Sequence, residues 1–247
     1  MPKASNQAVS KISKGILYLI PSTLGTESEL ADVIPDNNRK IVENLRIFIV
    51  EELKTARRFL KRLNKDTDID AIEFLIFNEH TVKTEIDHYI QPLLHGNNVG
   101  LLSEAGLPCI ADPGKEIVHE AHQHNIIVKP LSGPSSILLA LVASGFNGQN
   151  FAFNGYLPVE KMPRIKKLKQ LEAAIASQDQ TQIFIETPYR NNQMLQSIIE
   201  NCRSETWLCV AADLTLPTQQ IISASVSHWK DIKYDFNKRP AVFLLYQ

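Results

Sequence analysis

In residues 98–114 one carboxylate, Glu104, stands between Ser103 and a run of small or rigid residues, Ala105, Gly106 and Pro108, with Ile110 and Ala111 just beyond. Short side chains there let main-chain amides and carbonyls approach a small ligand closely. Ile110 and Ala111 would wall the ligand, and Glu104 would accept a proton from a reacting group. Further acid–base groups hold comparable places: Glu79 and His80 follow the apolar run 73–77, and Glu52 follows 46–50. Pro21, with small residues to 26, and Ser135 with Ser136 supply two more loops of the same kind. Any of these carboxylates would serve equally as a helix cap or as a partner of Arg58 or Arg190.

The elements that must position these groups are legible as short apolar runs at 15–20, 46–50, 73–77, 99–102 and 126–128, each of the length of a buried strand. Helical patterns lie between them. One starts at Asp36, read as its N-cap, and continues through Ile41, Val42 and Leu45. Another, 53–63, turns Ala56, Phe59, Leu60 and Leu63 inward and Lys54, Arg57, Arg58, Lys61 and Arg62 outward. A helix over 135–143 takes Pro134 in its first turn, and its nearly uniform apolarity predicts burial between layers or domains. Strand–helix alternation predicts a parallel α/β sheet, with ligands held outside the carboxyl ends of its strands.

After residue 132 the texture changes. Strand-like runs at 151–153, 182–185, 207–210, 221–224 and 242–246 have only two clear helices among them, and the last runs predict antiparallel pairing. The expected division is a disordered leader over 1–14, a parallel α/β domain over 15–132 and a mixed α/β domain over 133–247. The helix from Pro163 carries Ile165, Leu168, Leu171 and Ile175 as its core stripe, with Arg164, Lys166, Lys167 and Lys169 in its first turns. Cations at a helix start oppose the macrodipole. They form either a solvated face or a phosphate-backbone contact.

Composition limits the function classes. Of 247 residues, 44% are hydrophobic and 21% charged, as in ordinary globular chains, and no apolar run approaches a membrane span. Three irregularly spaced cysteines and a polar start predict free thiols and a cytoplasmic protein. A net charge of −1 means that nucleic-acid binding would need a local basic patch. His119, His122 and His124 lack supporting carboxylate or thiol spacing, so no metal site is expected.

Taken in order, the segments 18–21, 51–58, 78–80, 102–114, 130–136, 155–158, 186–190 and 213–215 resemble the tetrapyrrole-methylase-like (class III) S-adenosylmethionine-dependent methyltransferases. The resemblance is strongest to the branch that methylates ribose 2′-hydroxyls of 16S ribosomal RNA. It implies a two-domain fold, with a parallel α/β N-terminal domain, a mixed-sheet α/β C-terminal domain, and S-adenosylmethionine in the cleft between them. Cofactor contacts would come from Pro21, Ser103, Ala105, Gly106, Pro108, Ile110, Ala111, Ser135, Ser136, Tyr156, Leu157, Glu186, Ala212 and Ala241. Glu104, Glu79 and His80 are the catalytic candidates, Glu104 first because it lies in the cofactor loop. Arg57, Arg58, Lys161, Arg164, Lys166, Lys167 and Arg190 would contact the RNA. The implied partners are the small ribosomal subunit or its RNA and a second copy of the chain. Two alternatives stay open: a methylase of a tetrapyrrole or other small metabolite, and a cofactor-binding protein without catalysis. The branch's Glu-Leu-Thr-Lys run reads Asp213-Leu-Thr-Leu216 here, without the lysine.

Overall fold

The computed structural model describes residues 13–78, 80–81 and 86–247, which fall into two compact units. Glu79 and nearly all of the expected leader lie outside the described residues. The first unit comprises the described chain up to Ser22 together with Leu30–Gly133. In order it contains β1 (Ile16–Ile20), α1 (Leu30–Val33), α2 (Asp36–Glu43), β2 (Ile47–Val50), α3 (Leu53–Leu63), β3 (Glu73–Ile76), α4 (Ile86–Leu94), β4 (Val99–Leu102), α5 (Lys115–Gln123) and β5 (Ile127–Pro130). All its strand pairs are parallel, in the order β3-β2-β4-β1-β5.

Alternation along the inner strands divides the core. Leu17, Ile49, Val99 and Leu101 face Tyr89, Ile90 and Leu93 of α4 and Ile117 and Ala121 of α5. Tyr18, Ile20, Phe48, Val50 and Leu102 face Val42 of α2 and Ala56, Phe59, Leu60 and Leu63 of α3. β1 and β4 are neighbours, yet the chain leaves β1 toward β2 and leaves β4 toward β5, on opposite sides. The two loops therefore diverge at a topological switch point, where open α/β sheets bind ligands. Asp36 proves to be the first helical residue of α2 and Pro35 the cap position. Its carboxylate still favours the helix start.

The second unit comprises Thr23–Glu29 and Pro134–Gln247. Its elements are α6 (Ser136–Ser144), β6 (Phe151–Tyr156), α7 (Lys161–Gln178), β7 (Thr181–Ile185), a 3-10 turn (Pro188–Arg190), α8 (Asn191–Asn201), β8 (Trp207–Ala212), β9 (Gln220–Ser225), α9 (Val226–Trp229) and β10 (Ala241–Tyr246). The sheet order is β6-β7-β10-β8-β9, parallel between β6 and β7 and antiparallel elsewhere. Leu168, Leu171 and Ile175 of α7 and Met194, Leu195 and Ile198 of α8 cover one face with Phe184, Phe243 and Trp229.

Two expectations fail in this unit. Helix α6 is not buried all round: Ile137, Ala140 and Leu141 pack on Ile183, Cys209, Ala211, Val242 and Leu244, whereas Leu138, Leu139 and Val142 are exposed. One sheet face covers one helix face, and uniform apolarity does not change that geometry. Pro134 precedes the N-cap, Ser135, whose Oγ accepts from the Leu138 amide at 3.4 Å.

Candidate active site

The loop that leaves β4 is tied down from behind. The Ser22 amide donates to the Gly106 carbonyl at 2.9 Å, and the Ser103 amide donates to the Ile20 carbonyl at 3.2 Å. The β5 loop closes the other flank, because a Cβ at Gly133 would stand 2.3 Å from Cγ of Pro21. Pro21 is therefore buried packing for that loop. Across the loop, Ser103 Oγ donates to Asp112 Oδ2 at 2.6 Å. Ser103 is buried, so its hydroxyl shapes the loop.

Between these ties the backbone enters the left-handed region at Gly106 (φ 76°), Cys109 (φ 67°) and Ala111 (φ 61°), and again at Gly114 (φ 125°). Gly106 adopts it freely, but for Cys109 and Ala111 it costs roughly 1–2 kcal/mol each. Such strain gathers where surrounding structure over-determines a loop, commonly at ligand sites. The loop turns Ala105, Ile110 and Ala111 to solvent, Ile110 at 44% exposure, and buries Gly106 and Pro108. The donor set also fits S-adenosylmethionine, which needs main-chain contacts and an apolar wall more than charged side chains.

Glu104 is half-buried in that loop beside the start of α3. Burial pushes its carboxyl above the ordinary value, and the Glu51 charge pushes the same way. The nearby Thr55 hydroxyl and Glu52 amide partly offset both. A carboxyl moved toward neutrality is suited to taking a proton. Glu52 takes the cap role: it accepts from the Lys54 and Thr55 amides at 2.9 and 2.7 Å, and these bonds hold its carboxyl below the usual range. His80 is exposed in the turn after β3, where its amide donates to Asn78 Oδ1. Burial pushes the Cys109 thiol up to about 11, so it is no nucleophile near neutral pH. Thr55, Glu51 and Asp112 were not among the residues singled out, although Asp112-Pro-Gly114 visibly ends the loop.

The expected residues of the second unit have plain placements. Tyr156 is exposed at the end of β6, and Leu157 is buried in the core. Ala212 and Ala241 are register partners, both buried, so any ligand contact there uses the main chain. Glu186 is buried and accepts from Arg190 Nη2 and the Thr187 amide, both at 2.6 Å. Ser136 is half-buried at the start of α6. Arg57 and Arg58 are exposed on α3, Arg57 with its guanidinium 5.6 Å from the Phe74 ring. Lys161 and Lys166 are exposed on α7 and Lys167 is half-buried. Arg164 is a correction. It is 3% exposed and donates to Ser197 Oγ at 3.0 Å and the Val159 carbonyl at 2.6 Å, so it braces α7 and cannot reach RNA. Arg190, spent on Glu186, is likewise an orienting partner before it is a phosphate contact.

This pairing of a parallel α/β unit with a mixed-sheet unit is the class III methyltransferase fold. A crystal structure of diphthine synthase superposes with a TM-score of 0.65 at 13% identity, covering 94% of this chain and 89% of that one. The Thermus thermophilus uroporphyrin-III C-methyltransferase, solved with S-adenosyl homocysteine, gives 0.54 at 14% identity, covering 94% and 98%. Residues 29–229 match the family Tetrapyrrole (Corrin/Porphyrin) Methylases, and the chain belongs to it. Among curated relatives it is similar to the ribosomal RNA small subunit methyltransferase I of Vibrio cholerae, 30% identical over 81% of this chain and 65% of that protein. The enzyme of the same name from Escherichia coli O157:H7 is 28% identical over 94% and 77%. The chain thus spans just under two thirds of the Vibrio relative's length.

Proposed function

We propose that this protein is an S-adenosylmethionine-dependent methyltransferase that methylates a ribose 2′-hydroxyl in small-subunit ribosomal RNA. The observation that carries the reading is Glu104, a carboxyl raised toward neutrality inside the strained loop at the β1/β4 switch point. The names of the curated relatives supply the substrate class. When bound, the cofactor supplies an electrophilic methyl group on a sulfonium. Glu104 would take the proton of the 2′-hydroxyl, the oxygen to which the cofactor would supply its activated methyl group. Ala105, Gly106 and Pro108 hold the cofactor through main-chain groups, and Ile110 and Ala111 exclude water from it. Alignment by these groups is worth up to about 7–11 kcal/mol of barrier in favourable cases. Tyr156, Leu157, Glu186, Ala212, Ala241, Ser135 and Ser136 are proposed as further cofactor contacts.

The exposed cations of α3 favour RNA over a small macrocycle, since Arg57 and Arg58 suit phosphates; Lys161, Lys166 and Lys167 are proposed to act alike. A phosphate-contacting enzyme loses RNA affinity steeply with salt, whereas macrocycle binding would not. The test is tritiated-methyl transfer onto small ribosomal subunits from a strain lacking the protein, comparing wild type with Glu104→Gln. Transfer by the wild type and its loss in the variant are expected. Transfer to a tetrapyrrole but not to RNA, or cofactor binding with no transfer at all, would replace the reading.

A cytoplasmic homodimer is part of the proposal. Among the described residues no helix is long and apolar enough to cross a membrane. Leu138 and Val142, 48% and 82% exposed on α6, form an apolar stripe that a second copy would cover. Light scattering should report a dimer, and Val142→Glu should weaken it; a monomeric wild type removes this part.

A further inference from the structure

We propose that Asp112 is a positioning residue whose carboxylate clasps the two ends of the β4 loop and so sets where Glu104 and the cofactor-facing residues stand; this rests on the functional reading above. Its carboxylate receives the hydroxyl of the loop's first residue, Ser103, at 2.6 Å, and the Glu104 amide lies near enough to act on its charge. The intervening chain reverses through left-handed positions at Gly106, Cys109 and Ala111, conformations that Cys109 and Ala111 would leave if unrestrained. The Ser22 amide pins only the middle, at Gly106. The clasp acts at both ends. The Ser103–Asp112 bond ties the residue before Glu104 to the residue after Ala111.

Asp112 is not packing filler. It borders a cavity of about 340 Å³ whose wall includes Phe77, Asn78, Ile86, Cys109 and Ala111. Its carboxylate turns to Ser103 although open volume lies beside it. Burial raises its carboxyl above the ordinary value, and the two donors partly offset the rise. Asp112 touches loop donors and no reacting atom, so it acts through Glu104 and the loop.

The experiment compares wild type, Asp112→Ala, Asp112→Asn and Ser103→Ala in the full chain. Loop mobility is read by hydrogen exchange over 103–114, S-adenosylhomocysteine affinity by calorimetry, and kcat and KM separately. Asp112→Ala should speed loop exchange, weaken S-adenosylhomocysteine by roughly tenfold or more, and lower kcat more than it raises KM. Asp112→Asn keeps an oxygen that can accept the Ser103 hydroxyl and should restore most of each; Ser103→Ala, which removes that donor, should reproduce much of the alanine effect. A folded Asp112→Ala with wild-type loop exchange and affinity overturns the proposal, even if its melting point is lower. Equal damage from Asn and Ala also overturns it, because charge and not hydrogen bonding would then matter. If the wild type itself binds no S-adenosylhomocysteine, the cofactor reading fails, while loop exchange still decides the clasp.

Discussion

Two loops of this molecule close on an aspartate and use left-handed residues, and they differ in what that aspartate meets. In the second unit, Asp213 (φ 51°) accepts from Arg239 Nε at 2.7 Å and from the Thr218 hydroxyl at 2.9 Å. Arg239 also donates to Gln220 Oε1 and to the Thr218 carbonyl and lies over the Phe236 ring, so its donors are spent within the turn. Leu216, where the family branch has lysine, lies against Gly25. In that turn the charge is neutralised and Leu216 is half-buried. In the first unit, Asp112 meets a hydroxyl and an amide, Glu104 stands near a like charge, and Ile110 is left in solvent. A loop that only reverses the chain has no use for such features. The difference separates a loop built for stability from one built to receive something.

The comparison predicts that the two loops fail differently. Glu104→Gln, close in shape, should cut methyl transfer by roughly 10²–10⁴-fold, the usual worth of a general base, while S-adenosylhomocysteine still binds. Arg239→Ala should do the reverse. It leaves the nearly buried Asp213 carboxylate without its cation and should cost about 2–4 kcal/mol of stability, read by denaturant unfolding, with turnover per folded molecule unchanged. An Arg239 variant that lost turnover without losing stability would erase the distinction.

How far the sequence reached follows from the range of each interaction. Local periodicity sufficed for the first five strands and for α3, whose ends at Leu53 and Leu63 were read directly. It also placed Glu104 in a loop after an inner strand. The sequence was silent where partners are distant or geometry is one-sided. The Ser103–Asp112 bond spans an irregular stretch with no period to reveal it. Helix α6 reads as apolar on every side, yet only the sheet behind it decides which side is covered. Thr23–Glu29 packs with the second unit through Leu24 and a Ser28–Thr215 hydroxyl contact of 2.8 Å, which no local pattern encodes. Arg164 was misread although its spacing was informative. It stands four and seven residues before Leu168 and Leu171, on the core stripe, and composition outweighed position.

The smallest effects test whether Glu104 is held at a cost. Its carboxyl is raised by burial first and by the Glu51 charge second. Replacing Glu51 with Gln should therefore lower the Glu104 carboxyl, and the acid limb of kcat/KM should move to lower pH. The stability sign follows from the same shift. A carboxyl raised in the folded state contributes stability that is fully present below its unfolded value and is lost as pH rises through the folded one. At neutral pH the ionised Glu104 is thus an unfavourable feature of the fold, and Glu104→Gln removes it. The variant should melt above wild type at pH 7, and the gain should shrink as pH falls into the ordinary carboxylate range. An inactive variant that gains no stability at pH 7 would mean that the carboxylate is satisfied where it stands, as Asp213 is by Arg239, and the contrast between the two loops would then rest on Ile110 and Asp112 alone.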